Sequence, residues 1–168
     1  NGRPVVVNSD GTVSVVGIGS ASIGSATKWV SGESIYISAA YDSNSDRVVI
    51  AYRNSSSGDN GFAVVGTVSG TSISFGTPVS FNSGSGSTNF SSTAFDSNSN
   101  KVVISYQDGG NSSYGTAIVG TVDPSDNSIS FGTEVVFNSG NSDGMSSAFD
   151  TSANTVIIAY RDQANNQY

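Results

Sequence analysis

Three segments of this chain, YDSNSDRVVIAYR from Tyr41, FDSNSNKVVISYQ from Phe95 and FDTSANTVIIAYR from Phe149, repeat one pattern at a constant spacing of 54 residues. A period that constant marks tandem structural units, each too small to bury its apolar side alone and therefore packed on its neighbours. It constrains the fold more than any other feature, because each unit must present faces that fit copies of itself.

Within one period, starting near Ile35, four runs have alternating or β-rich composition: IYISAAY, RVVIAYR, FAVVGTV and SISFGTPVSF. The second copy supplies FSSTAF, KVVISYQ, GTAIVGTV and SISFGTEVVF, and the third supplies MSSAF and TVIIAYR. No stretch has helical spacing or caps. In RVVIAYR, Val48, Ile50 and Tyr52 project to one side and Val49, Ala51 and Arg53 to the other, which makes both faces largely apolar. Such a strand belongs inside stacked sheets. The first run of each copy is small, Ser38, Ala39 and Ala40 answering to Ser92, Thr93 and Ala94 and to Ser146, Ser147 and Ala148, which suits strands crowded round an axis. The expected fold is all-β: tandem ~54-residue units of four antiparallel strands, like β-propeller blades, with a β-solenoid or fibre-like stack as the rival. The tight DSNS and SGDN connections favour antiparallel hairpins over the parallel coils of a solenoid.

The period divides the chain into an atypical N-terminal partial repeat (1-34), repeat 1 (35-88), repeat 2 (89-143) and a truncated repeat 3 (144-168), all one repeat domain. Residues 13 to 30 resemble third and fourth strands, with Val15, Val16 and Gly17 matching Val64, Val65 and Gly66, and RPVVV before them reads as a stray second strand. Tyr168 falls in the column of Tyr114. Open strand edges recruit other chains. The expectation is therefore either a stretch of a longer repeat protein or a protomer whose N-terminal half-blade completes the C-terminal half-blade of another.

Composition narrows the partners. Only 36% of residues are hydrophobic and 11% charged, so solubility rests on hydroxyls, amides and backbone, as suits an extracellular or ligand-facing surface. Thirteen acids against six singly scattered bases give a net charge of −7, which argues against a nucleic acid partner. No run of apolar residues is long enough to insert in a membrane. Cysteine is absent, which removes disulfides and thiolate metal sites.

Two sets of residues could carry binding. Asp42, Asn44 and Asp46 place oxygen ligands in calcium-loop spacing, and Asp96, Asn98 and Asn100 repeat it, while the third copy keeps only Asp150, Ser152 and Asn154. No downstream bidentate Glu accompanies them, and Asx side chains closing a hairpin explain the pattern equally well. The triplets Tyr52, Arg53, Asn54, then Tyr106, Gln107, Asp108, then Tyr160, Arg161, Asp162 set an aromatic beside a planar donor and an acceptor, groups that grip sugars when repeated across a surface. The competing reading packs Tyr between units and lets Asn or Asp cap the next turn. Phe75, Phe81, Phe131 and Phe137 read as filler between units, and Trp29 as a plug at one end or a contact for a partner.

The chain has no histidine, hence no Ser-His-Asp triad and no imidazole ligand for zinc. Glycosidases need only two carboxylates, yet Glu33 and Glu134 occupy different strand contexts, and Asp42, Asp96 and Asp150 recur at equal phase as structural turns do. The sequence implies no enzyme and no cofactor.

The run FDSNSNKVVISYQDGGNSSYGTAIVGTV followed by SISFGTEVVFNSG resembles the tandem repeats of surface and virion structural proteins of aquatic phages and bacteria, over residues 35 to 168. The resemblance implies blade-like or fibre modules at an extracellular or virion surface. It implies a non-enzymatic structural or adhesive role through self-association, neighbouring repeats or cell-surface glycans, with a propeller-type lectin as the alternative.

Overall fold

A computed structural model describes residues 5–7, 12–15, 24–84 and 86–165. The described chain is all-β, its strands pairing antiparallel, with one 3-10 turn at Ser55–Ser57.

A first sheet comprises β3 (Ser34–Asp42), β4 (Arg47–Asn54), β5 (Asn60–Ser69) and two short strands, β6 (Ser72–Phe75) and β7 (Val79–Asn82), which both pair with β5. A second comprises β8 (Thr88–Asp96), β9 (Lys101–Asp108), β10 (Tyr114–Asp123), β11 (Ser128–Phe131) and β12 (Val135–Asp150), with β13 (Thr155–Asp162) at its edge. β12 changes partners along its length: Val135 to Asn141 pair with β10, and Ser142 to Asp150 with β13. A separate pair joins β1 (Val5–Val7) to β2 (Val13–Val15).

The registers repeat with the sequence. Ser38 pairs with Ala51, Ser92 with Ser105 and Ser146 with Ala159, each pair 54 residues after the last. The hairpins close alike, through Asp42 with Arg47, Asp96 with Lys101 and Asp150 with Thr155. Asp46, Asn100 and Asn154, the last turn residues, take left-handed φ of 56°, 56° and 52°, which Asp and Asn tolerate better than other side chains. A register shift follows Ile35, Asn89 and Asp143 in turn, and the residue beyond it is left-handed in all three: Tyr36, Phe90 and Gly144. The boundary drawn at 143 and 144 thus falls inside β12, at its bulge.

Pleating sorts the side chains of β4 as the alternation predicts. Val49 and Ala51, with Ala63 and Val65 of β5, join Val102, Ile104, Tyr106 and Ile118 of the second sheet in one core. Ile50, Tyr52 and Val64 project to the opposite face and pack with Trp29, Val30 and Phe75. The first sheet is therefore covered on both sides, by the segment around Trp29 and by the second sheet.

Candidate assembly interface

The same rings meet at each junction between successive units. Phe81, in β7, has its ring centroid 5.2 Å from that of Tyr106 in β9 and 5.8 Å from Phe131 in β11. At the preceding junction Trp29 stands 6.1 Å from Tyr52 and 6.0 Å from Phe75. One period later Phe137 meets Tyr160 at 5.1 Å, with no third ring among the described residues. Tilted and edge contacts of this kind add about 0.5–1.5 kcal/mol each beyond the area they bury.

Glycines mark the junction from the backbone side. A Cβ on Gly24 would collide with the Thr71 carbonyl oxygen, and one on Gly76 with the Asn127 carbonyl oxygen, so each glycine admits a turn of the following sheet. At Gly132, the third of the series, the nearest atom would lie 3.8 Å away on Val119 of the same sheet.

Polar ties repeat as well. Thr93 N–H donates to Ser38 Oγ at 2.9 Å, and Ser147 N–H to Ser92 Oγ at 2.8 Å, stitching the first strand of each unit to the next. Small side chains are needed there because the strands approach closely. Arg47 reaches from β4 into the turn before β11, donating to Asn127 Oδ1 at 2.7 Å and the Pro124 carbonyl at 3.0 Å, and Thr67 donates to the same Oδ1.

Beyond the second sheet these contacts stop. Val65 is fully buried and its counterpart Val119 is 45% exposed; Val49 is fully buried and Ile157 is 53% exposed. Val79 packs on the core, whereas Val135 in its column is 64% exposed. Among the described residues β13 pairs only with β12.

The sugar-type triplets are drawn apart. Tyr52 and Tyr106 bury their rings completely, and only Tyr160 is partly exposed. Tyr106 Oη donates to Glu134 Oε2 at 2.7 Å; burial first, and that carboxylate second, push its pKa far up and keep it a donor. Tyr52 Oη has no hydrogen-bond partner among the described residues, Pro78 standing where the second unit has Glu134, and burial raises its pKa too. The third residues close turns: Asn54 Oδ1 accepts from Ser56 N–H, Asp108 Oδ1 from Gly110 N–H and Asn82 Nδ2, and Asp162 from Ala164 N–H and Asn165 Nδ2.

The middle residues link neighbours. Arg53 donates to Asn89 Oδ1 at 2.5 Å and pairs with Asp59 at 3.2 Å. Gln107 accepts from Asn89 and donates to Asn141 Oδ1 and the Ser142 carbonyl. Arg161 forks onto Asp143, which also accepts from Gln163; the Arg161 hydrogen bond is the main reason the Asp143 carboxyl sits below the usual range.

The calcium-type positions are occupied by their own backbone. Asp42 Oδ1 accepts from the N–H groups of Asn44 and Ser45 while Oδ2 accepts from Ser45 Oγ, and Asp96 repeats all three bonds with Asn98 and Ser99. Asp150 accepts from Ser152 and Ala153 N–H. Asp46 accepts from Tyr41 Oη. The carboxylates of Asp42, Asp96 and Asp150 close Asx turns, and Asn44, Asn98 and Asn100 belong to those turns. No cluster of three or more potential acid ligands occurs among the described residues.

Sequence reasoning passed over Tyr36 and Phe90. Both sit at the bulges with φ of 51° and 53°, costing roughly 1–2 kcal/mol each for a side chain with a Cβ. Their rings lie 4.9 Å apart, and the Arg53 guanidinium stands 5.2 Å over Tyr36. The one signal in the sequence was Gly144 in their column. Asn82, Ser83, Asp108, Asn111 and Glu134 line a polar cleft of about 440 Å3.

No family model, no curated protein and no solved structure matches this chain. The matching of residues 15 to 17 with 64 to 66 rests partly on residues outside those described, as does the placing of Tyr168.

Proposed function

We propose that this chain is a non-enzymatic structural or adhesive module of β-propeller-like blades, belonging to an extracellular or virion appendage and working through contacts between repeats and between subunits. One observation carries the reading: one set of contacts, aromatic, glycine and serine, recurs from unit to unit among the described residues. A chain that devotes its buried tyrosines, its serine column, Arg47 and Arg53 to joining units is organised for stacking rather than for turnover. Negative-stain microscopy with light scattering tests it. Ordered rings, rods or filaments that grow with concentration support contacts between subunits, and a strictly monomeric chain at all concentrations removes them and leaves only the contacts between repeats of one chain.

A second reading, a glycan-binding lectin, draws on Tyr36 and Phe90. Aromatics held in strained backbone at a surface, flanked by Arg53, Asn89 and Asp59, are the kind of platform on which a sugar ring stacks while its hydroxyls meet amide and guanidinium groups. A glycan array answers this directly. Binding that disappears in Tyr36→Ala supports the lectin, and an array with no signal removes it.

A further inference from the structure

We propose that the polar cleft between the first and second sheets is a binding site for a neutral saccharide unit, with Asp108 and Glu134 accepting hydrogen bonds from its hydroxyls and Asn82, Ser83 and Asn111 donating to them. The proposal shares the ligand class of the lectin reading but none of its residues, so the two stand or fall separately.

The cleft forms where the two sheets meet. Asn82 ends β7 of the first sheet, Asp108 ends β9 of the second, and Ser83, Asn111 and Glu134 lie in the connections beside them. Asn82 and Asp108 are only 7% and 6% exposed, so packing holds their polar heads in place. Asn82 Oδ1 accepts from Gly84 N–H, which orients the amide, and its Nδ2 donates to Asp108 Oδ1 at 3.2 Å. Gly110 N–H donates to that same oxygen at 3.0 Å. Asp108 therefore lines the cleft with Oδ2 unbonded among the described residues, on a side chain more than nine-tenths buried. Glu134 Oε2 takes the Tyr106 hydroxyl, which leaves Oε1 for the cleft. Donors stand opposite these acceptors: the second Nδ2 hydrogen of Asn82, the Ser83 hydroxyl and the Asn111 amide.

Three properties choose the ligand. The volume, about 440 Å3, falls within the roughly 300–1,000 Å3 of small-molecule sites and far exceeds what one ion fills. Donors and acceptors are mixed, which matches hydroxyl groups, since each gives one hydrogen bond and takes others; a metal ion takes acceptors alone. Neither carboxylate is in a salt bridge among the described residues, so phosphate, sulfate and sugar acids are repelled. The carboxylates are also an addition to this junction rather than a requirement of the repeat. One unit earlier Asn54 and Pro78 stand at the positions of Asp108 and Glu134, and Asn54 closes the corresponding turn through Ser56 N–H without a charge.

Calorimetric titration with neutral oligosaccharides (malto-, manno-, xylo- and chito-oligosaccharides) and with acidic ones (oligogalacturonate and sialyllactose) tests the site. The expected result is binding of at least one neutral sugar and of no acidic one. Asp108→Asn, which keeps the turn closed as Asn54 does, and Glu134→Gln, which keeps an acceptor for Tyr106, should each weaken that binding at least about tenfold with an unchanged circular dichroism spectrum. Asn111→Ala, at an exposed position outside the core, carries the test if either of those variants unfolds, with an expected loss of about threefold or more. Tyr36→Ala should leave the affinity as it was. Binding that survives Asp108→Asn and Glu134→Gln but disappears in Tyr36→Ala overturns the cleft and leaves the lectin reading standing. Acidic sugars bound as tightly as neutral ones overturn it too, and a panel without any binding sinks both.

Discussion

Tyr106 and Tyr160 occupy the same column of the repeat and live in different surroundings. Tyr106 is fully buried against Phe81 and donates to Glu134; Tyr160 touches Phe137 and is 37% exposed. The intervening chemistry is nearly identical, so the contrast isolates what a neighbouring unit contributes. A strand of this type gains its core only when the next hairpin is laid against it.

Substitution in the two columns should give unequal costs. Tyr106→Ala should lose about 3–5 kcal/mol of unfolding free energy, as large aromatic truncations in cores do, and Tyr160→Ala less than about 1 kcal/mol, both read from urea titrations. If the two costs are equal, the third junction is already filled in solution, and the comparison must be redrawn.

The glycine series makes the same comparison with smaller numbers. Gly76→Ala forces a Cβ against the Asn127 carbonyl and should cost about 1–3 kcal/mol; Gly132→Ala, with open space around it, should change stability by less than about 0.5 kcal/mol. Thermal melts of the two variants side by side decide it.

Acid should act on both regions through their carboxylates. Asp96, Asp123, Asp143 and Asp162 all titrate below their ordinary value, held by hydrogen bonds from Ser99, Ser125, Arg161 and Asn165 respectively. A carboxyl whose pKa is lowered in the folded state adds stability above its unfolded pKa, and that stability is lost as pH falls through the folded value. The melting temperature should therefore hold near neutrality, where the chain has no histidine to titrate, and drop below about pH 4. A curve flat to strong acid would show that these bonds do not persist in solution. The smallest effect expected is none: a chelator should leave the melting temperature unchanged, because the Asp42, Asp96 and Asp150 carboxylates already satisfy turn N–H groups. A rise of several degrees on adding calcium would overturn the turn assignment.

The all-β, antiparallel character of the fold was legible in the sequence, while the five and six strands of its two large sheets were not. The period predicted which positions would share a strand register and a hairpin closure, alternation in RVVIAYR predicted its two buried faces, and the Asp-Ser-Asn-Ser segments predicted Asx hairpins. Local signals of this kind survive because they depend on pleating and turn geometry within a few residues. The triplets were only half legible. Asn54, Asp108 and Asp162 cap turns as such residues do, but Arg53 and Gln107 are drawn into bonds with Asn89, a partner 36 and 18 residues away that no spacing rule selects.

The sequence alone determined the strands, their period and the apolar faces, since each follows from side-chain alternation and the short reach of turn residues. Tertiary packing alone decided that Tyr36 and Phe90 twist into left-handed backbone, that Gly24 and Gly76 yield space to a neighbouring carbonyl, that Glu134 finds the Tyr106 hydroxyl, and that β12 passes from β10 to β13. Each of these depends on how close two distant segments come, and closeness is set by the shape of the whole stack rather than by any window of residues within it.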